Sequence, residues 1–310
     1  MIMLLHAGVT ADSLSTAWDW EPGIAVPLAI AAFLYARGLR LLWDEHVGRG
    51  IRVWEASCFA AGWLIAVLAL LSPLHALSEQ LFVAHMVQHE LLMAVAAPLL
   101  VVGRPLVPML WALPSRARRR VGGITRRKSV RGVWRTLTQP LVAFLLHGAA
   151  IWIWHAPALY QATLTNDTIH AAQHLSFLGT ALLFWWTIIH AHAPGGRARA
   201  VSFGAAVLLL FGTALHSGAL GALLTFSRTL WYPAYGSAAR TWGLTPFEDQ
   251  QLAGLVMWIP ATFAYLVAAL FLFAAWLRAS EERVHEGELA RAAERALHGQ
   301  VDEDERNPWS

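Results

Sequence analysis

Two pairs of histidines in this sequence have the spacing of metal ligands on a helix. His85 and His89 stand four residues apart in the run HMVQHE, and His170 and His174 repeat that spacing in the run HAAQH. Residues four apart on an α-helix lie one turn apart on the same face, so both imidazoles of a pair can reach one metal ion. Two such pairs at similar depth on different helices predict a metal site.

Further donors are expected around these pairs. We expect auxiliary ligands from Met86, His155 and His216, and side chains that orient the ligands from Asp249, Gln250, Glu90 and Met257. Glu90 would serve either as a proton-linked acid or as a further ligand. Imidazole with a thioether and no thiolate suits copper, although zinc also fits imidazoles. Copper is therefore the expected cofactor, with zinc or haem as weaker alternatives.

The segments that must position these side chains are long and apolar. Hydrophobic residues make up 57% of the 310-residue chain and charged residues only 14%, against about 25% charged residues in soluble domains. A helix needs about 20 apolar residues to cross a bilayer, and seven stretches qualify: 24–43, 55–75, 80–102, 139–157, 170–190, 201–225 and 251–277. The sequence thus predicts an all-α polytopic membrane protein, a bundle of seven transmembrane helices.

The basic residues between these segments predict the orientation. Of the 23 Lys and Arg residues, only Arg228 and Arg240 lie on the side of the N-terminus, and the basic loop 103–138 holds the largest group on the other side. An excess of Lys and Arg marks the cytoplasmic side. We therefore expect an outer N-terminal segment at 1–21, a membrane domain at 22–278 and a cytoplasmic C-terminal tail at 279–310.

This orientation places the histidine pairs toward the outer side of the cell's inner (plasma) membrane. It also explains the net charge of +3 as a topology signal, so no nucleic acid partner is expected.

Common catalytic motifs are absent from the sequence. The one cysteine, Cys58, excludes a disulfide within the chain and any CxxC motif. Glu90 follows the second histidine of its run, so the HExxH motif of zinc peptidases is not formed. Neither a Walker loop nor a G-x-S-x-G elbow occurs, and we expect no enzymatic activity.

Four stretches resemble the multi-span CtaG family of bacterial cytochrome c oxidase assembly proteins. They are His85–Met93 with Ala97–Leu100, Trp154–Pro157 with Tyr160, His170–His174 with Phe184–Trp186, and Asp249–Gly254 with Met257–Trp258. The resemblance implies a non-enzymatic factor that matures the oxidase by handling copper for its metal centres. Its partners would be oxidase subunits and the lipid bilayer. Glu90 departs from the pattern, since it stands where many members are expected to carry methionine.

Two other functions fit the same residues. Histidines on neighbouring helices can clamp haem iron from both faces, as in a membrane cytochrome of b type. Alternatively, the histidines only hydrogen-bond between helices, in a metal-free assembly scaffold. A transporter that moves copper through the membrane is less favoured, because the inner half of the predicted bundle has no comparable series of ligands.

Overall fold

The computed structural model describes residues 10, 12–190, 203–236 and 238–306. Within these ranges every regular element is a helix. Over the same residues six helices are long and apolar enough to cross a membrane, and the number rises to seven if a bent pair of helices forms one crossing. The predicted all-α polytopic membrane architecture is confirmed, and its predicted seven crossings agree with the higher of these two numbers. The link that carries Arg197 and Arg199 lies outside the described residues.

The helices follow in chain order. They are α1 (Pro22–Trp43), α2 (Val53–Leu71), α3 (Pro73–Ser78), α4 (Phe82–Glu90), α5 (Ala97–Val102), α6 (Leu106–Ala112), α7 (Ser115–Thr125), α8 (Lys128–Leu137), α9 (Pro140–Trp154), α10 (Pro157–Thr163), α11 (Asp167–His190), α12 (Phe203–Phe226), α13 (Ala238–Thr241) and α14 (Pro246–Arg306). A π-helical turn at Leu91–Ala96 joins α4 to α5, and 3₁₀ turns lie at Leu14–Thr16 and Pro233–Tyr235.

The seven crossings are called spans. Spans 1, 2, 5 and 6 are α1, α2, α11 and α12, and span 4 is α9. Span 3 is Phe82–Val102, which combines α4, the π-helical turn and α5. Span 7 is the Pro246–Arg278 part of α14, and the same helix continues without a break into the tail as far as Arg306.

Span 2 ends earlier than the sequence predicts. It was expected to reach residue 75, but its helix ends at Leu71. The hydroxyl of Ser72 accepts a hydrogen bond from the amide of Leu74 at 3.2 Å, and Pro73 follows as the first residue of a new helix. A serine cap followed by proline is a strong helix start. His75 therefore lies on the short helix α3.

Span 4 is short and bent. Its 15 residues extend about 22 Å, less than the hydrocarbon thickness of about 30 Å. The preceding helix α8 meets it at 66°. Val133 and Trp134 are exposed on one face of α8, with Arg131 and Arg135 on the other side, a pattern typical of a helix at the membrane surface.

Span 3 lies at the centre of the bundle. Of its most apolar window 56% is buried, against 11% for span 1. It packs against spans 2, 5 and 7, while span 4 packs against spans 5 and 6 and span 1 packs mainly on α6. Side chains on span 3 can therefore meet side chains from several other spans, which is what a shared metal site needs.

Spans 6 and 7 approach each other through two glycines. A Cβ atom on Gly221 would lie 2.7 Å from the carbonyl oxygen of Gly254 and 2.9 Å from the amide nitrogen of Trp258. Small residues allow this close backbone packing, which drives helix association in membranes. The contact fixes span 7 one turn beyond Asp249.

The start of span 3 is capped by a residue from another span. Its N-cap, Leu81, offers no side-chain acceptor. The amides of Phe82 and Val83 donate instead to the two carboxylate oxygens of Asp249 on span 7, at 2.8 and 2.9 Å. Asp249 is only 1% exposed. This tertiary cap fixes the first turn of the helix that carries His85 and His89.

The π-helical turn follows the histidine face of span 3 directly. It begins at Leu91, and the indole of Trp185 on span 5 donates to the carbonyl oxygen of Met93 at 2.9 Å. π-Helical turns add a residue to the helix and are frequent at functional sites. Residues beyond this turn therefore do not continue the face of His85 and His89 with regular α-helical spacing.

We predict that Asp249→Ala destabilises the protein. Two buried amides lose their acceptor, at about 1–3 kcal/mol each. Asp249→Asn should recover part of the loss, because its single carbonyl oxygen can still accept. Thermal unfolding of the purified protein in detergent measures both, with Glu281→Ala, an exposed acid on the same helix, as the control. Equal melting temperatures for Asp249→Ala and the control would contradict the cap.

The orientation remains a prediction that single-cysteine labelling tests. In a Cys58→Ala background, a cysteine replaces either Arg240 or Arg119, both exposed arginines. A maleimide that cannot cross membranes should label Arg240→Cys on intact cells and Arg119→Cys only after lysis. The reverse pattern would invert the topology.

Candidate metal centre

Three histidines from two spans meet inside the bundle. The nearest ring nitrogens of His85, His89 and His174 all lie within 4.8 Å of one another. The ring centroids of His85 and His89 are 4.3 Å apart, and the ring of His174 on span 5 lies 5.3 Å from His89 and 6.0 Å from His85. These three residues are called the triad. The two predicted histidine pairs thus meet.

Four ring nitrogens of the triad have no hydrogen-bond partner in the described part of the chain. Among the residues that the structure describes, none bonds Nε2 of His85, either nitrogen of His89, or Nε2 of His174, although all four atoms are buried. A buried polar atom left without a partner costs about 1–3 kcal/mol. A cation bound by these lone pairs would satisfy them, so the residues fit a metal ion.

The spacing of the triad is close to that of a coordinated ion. Imidazole nitrogens bound to one tetrahedral ion at about 2.0–2.1 Å lie about 3.3 Å apart, so rings within the observed distances need to close by no more than about 1.5 Å. Small changes of side-chain torsion supply such a movement.

His170 extends the triad toward the end of the bundle. Its ring centroid lies 4.4 Å from that of His174 and 5.5 Å from that of His85, on which it stacks. Its Nε2 atom is also buried and without a partner among the described residues. His170 therefore lies beside the triad, as a further imidazole at its edge.

A tyrosine orients the ring of His85. Nδ1 of His85 lies 3.5 Å from the hydroxyl of Tyr235, which in turn donates to the carbonyl oxygen of Ser78 at 3.3 Å. Burial raises the pKa of the Tyr235 phenol above its ordinary value, so the hydroxyl keeps its proton for that bond. When this proton points to Ser78 rather than to the hydroxyl of Tyr160, 3.1 Å away, Nδ1 of His85 can donate to the Tyr235 oxygen, which leaves the lone pair of Nε2 for a ligand.

Met86 and His155 face each other beside the triad. Nε2 of His155 lies 3.4 Å from the sulfur of Met86, and Nδ1 lies 2.7 Å from the carbonyl oxygen of Ile151. The hydroxyl of Tyr232 donates to the carbonyl oxygen of His155 at 2.7 Å. Both predicted auxiliary ligands are buried, at 2% exposure.

His75 lies at the edge of the histidine cluster. The amide group of Gln88 donates to the carbonyl oxygen of Ala69 at 2.7 Å and lies 3.0 Å from Nδ1 of His75. On its other side, Nε2 of His75 lies 3.7 Å from a carboxylate oxygen of Asp19. Gln88, which stands between His85 and His89 in the sequence, thus links span 3 to span 2 and to α3.

His216, predicted as an auxiliary ligand, lies in a second group of histidines. Its ring packs 5.6 Å from that of Phe144 and against Gly148 on span 4. On the same span, Nδ1 of His147 lies 3.1 Å from the hydroxyl of Thr180. The participation of His216 in the triad stays a prediction.

The side chains expected to orient the ligands act mainly on the backbone. Asp249 caps span 3, and Gln250 accepts from the amide of Trp231 at 2.7 Å and donates to the carbonyl oxygen of Thr229 at 3.1 Å. Met257 is buried in the hydrophobic core that also contains Met86. Glu90 is half-buried and interacts electrostatically with Tyr265 of span 7.

Sequence reasoning missed Gln88, Tyr232 and Tyr235 as functional residues. The two tyrosines lie in the link between spans 6 and 7, where no helical periodicity indicates which side chains point inward. The sequence signal that could have found the two tyrosines is the small number of this residue. The chain has only five tyrosines, and all five are buried.

The chain is similar to three uncharacterized mycobacterial proteins. It is 27% identical over 280 residues to protein Mb0105 of Mycobacterium bovis and to protein MT0111 of Mycobacterium tuberculosis, and 24% identical over 278 residues to protein ML1998 of Mycobacterium leprae. The matches cover 87%, 87% and 85% of the chain, which spans about 40% of the length of these relatives. No solved structure shows significant similarity to it.

The model of one protein family, described as the cytochrome c oxidase caa3 assembly factor (Caa3_CtaG), matches residues 33–279. This range contains the triad, Met86, His155 and the capping residue Asp249, and it confirms the resemblance that the four sequence stretches carry. The chain therefore belongs to the Caa3_CtaG family of cytochrome c oxidase caa3 assembly factors.

Proposed function

We propose that this chain holds a copper ion at the triad and delivers it to a subunit of cytochrome c oxidase during assembly. The observation that carries the proposal is the convergence of three imidazoles, two of them buried and the third half-buried, with four buried ring nitrogens that lack partners among the described residues. The family supplies the oxidase as the destination. The proposed location is the bacterial plasma membrane, with the lipid bilayer and oxidase subunits as partners.

The donor set favours copper over other common metals. Imidazole nitrogen and thioether sulfur are ligands of copper, whereas magnesium and calcium prefer oxygen ligands. The affinity order for divalent ions of the first transition row also peaks at copper. Zinc competes for the imidazoles, and copper has the higher affinity of the two in that order.

The ligands also suit a carrier, which must release its cargo. All three imidazoles are neutral when they bind a metal, so a bound ion keeps its positive charge in a buried site. Retaining a charge in a low-dielectric environment costs free energy, which weakens the hold relative to a site with thiolates or carboxylates. His170 at the edge of the triad offers a further imidazole, which can replace one of the three ligands as the ion leaves.

The geometry argues against the scaffold and haem alternatives. A scaffold histidine should hydrogen-bond another helix, whereas neither nitrogen of His89 has a partner among the described residues. For haem, the rings of His85 and His89 are in edge contact, and the ring of Phe177 lies 4.7 Å from that of His89. These contacts leave no slot for a flat porphyrin between the imidazoles. We propose a non-catalytic role, in keeping with the family.

We predict that His85→Ala/His89→Ala abolishes copper binding at the triad. Loss of two of three ligands should lower copper affinity more than about 100-fold, beyond the 10–100-fold effect of outer-sphere changes. Competition with a chromophoric chelator measures the affinity, and metal content is measured by mass spectrometry. The oxidase content of cells that carry this double variant should fall with the copper content.

The matched control is His147→Ala, which removes another buried histidine that is 0% exposed and bonded to Thr180. It should keep copper at the triad. Normal copper affinity in the double variant would refute the site. Metal-free wild-type protein with failed oxidase assembly in the double variant would support the scaffold instead, and a Soret band in the wild type would support haem.

A further inference from the structure

We propose that Met86 and His155 form a second copper site beside the triad, selective for Cu(I). The inference rests on the proposed function in one respect, namely that copper is the cargo. It depends on a separate observation, the direct contact of an imidazole nitrogen with a thioether sulfur inside the core.

The protonation state of His155 follows from its partners. A carbonyl oxygen can only accept a hydrogen bond, so Nδ1 of His155, 2.7 Å from the carbonyl oxygen of Ile151, must carry the proton. Nε2 of the neutral ring then presents a lone pair. That lone pair faces the sulfur of Met86 at 3.4 Å, an atom that also has only lone pairs to offer. Two atoms that each offer only lone pairs therefore lie in contact, an arrangement that a shared cation would stabilise.

The distance between the nitrogen and the sulfur is compatible with one coordinated ion. Bonds of about 2.0 Å to nitrogen and about 2.3 Å to sulfur span a separation of 3.4 Å when the angle between them is about 104°, near the tetrahedral value. The triad needs its rings to close before it can bind, whereas this pair needs the His155 ring to turn its lone pair from the sulfur toward the ion.

The surroundings of the pair favour a soft ion with a single positive charge. The ring of His155 lies 6.2 Å from those of Tyr160 and Phe177, and Met86 packs in the same hydrophobic core. Neutral ligands in an apolar environment favour a single positive charge over a double one. Thioether sulfur is a soft ligand that selects Cu(I) among biological metals. The pair therefore discriminates against both Cu(II) and zinc.

The second site is adjacent to the triad but separate from it. Met86 follows His85 on span 3, and successive residues on an α-helix point about 100° apart. The ring of Phe177 contacts both groups, since it lies 4.7 Å from His89 and 6.2 Å from His155. Span 3 thus presents an imidazole group and a nitrogen–sulfur group on neighbouring faces.

Anaerobic titration of the purified full chain with Cu(I), against a competing chelator, tests the second site. X-ray absorption at the copper edge then reports sulfur neighbours. We expect two Cu(I) ions per wild-type chain, with one Cu–S contact. Met86→Leu should bind one ion and lose the sulfur signal, while His85→Ala/His89→Ala should bind one ion and keep it.

Replacing methionine by leucine conserves volume and is tolerated in protein cores. Met93→Leu is the matched control, because Met93 is a buried methionine on the same span, also at 2% exposure. The control should bind two ions. If the wild type binds one ion, and both Met86→Leu and the histidine double variant lose the sulfur signal, the chain has a single mixed site. That result would overturn the second site but not the proposed function. Unchanged copper binding in Met86→Leu would also overturn the second site, and a wild type that binds no copper would overturn both proposals.

Discussion

The carboxylate of Asp249 holds the first turn of span 3 in place, and the arrangement of the triad depends on that contact. Span 3 starts without a cap of its own, and its first two amides bond to a residue that lies 167 positions away in the sequence. Hydrogen bonds from amides to a buried carboxylate are stronger than neutral ones. His85 and His89 follow within two turns, so the position of span 7 sets the height and rotation of both imidazoles.

The same stretch of span 7 controls the site by a second route. Gln250 bonds to the amide of Trp231 and the carbonyl oxygen of Thr229, which fixes the link between spans 6 and 7. That link carries Tyr235, whose hydroxyl meets Nδ1 of His85. The glycine contact between Gly221 and Gly254 then locks span 7 against span 6. The residues from Asp249 to Gly254 thus position the histidines of span 3 through contacts with the backbone of other segments.

The sequence could predict the helices and the histidine pairs because both follow local rules. Long apolar stretches specify crossings, and a spacing of four residues specifies a shared helix face. Sequence reasoning missed that His75 lies on a separate helix, because Ser72 and Pro73, the local signal of a helix start, stand inside an otherwise apolar stretch. Asp249 was expected to orient ligands, but nothing local indicates that it would do so through the amides of another span.

Among the described residues, the convergence of three histidines separates the triad from the other histidines better than burial does. His155 and His75 are as buried as His85, yet each donates to or accepts from another part of the chain. His147 and His216 also have unpartnered nitrogens, but in the described part of the chain they form no three-ligand group. Three convergent imidazoles, with a fourth at their edge, offset the loss of an ion's hydration while remaining neutral. The geometry therefore suits an ion that is held and then released.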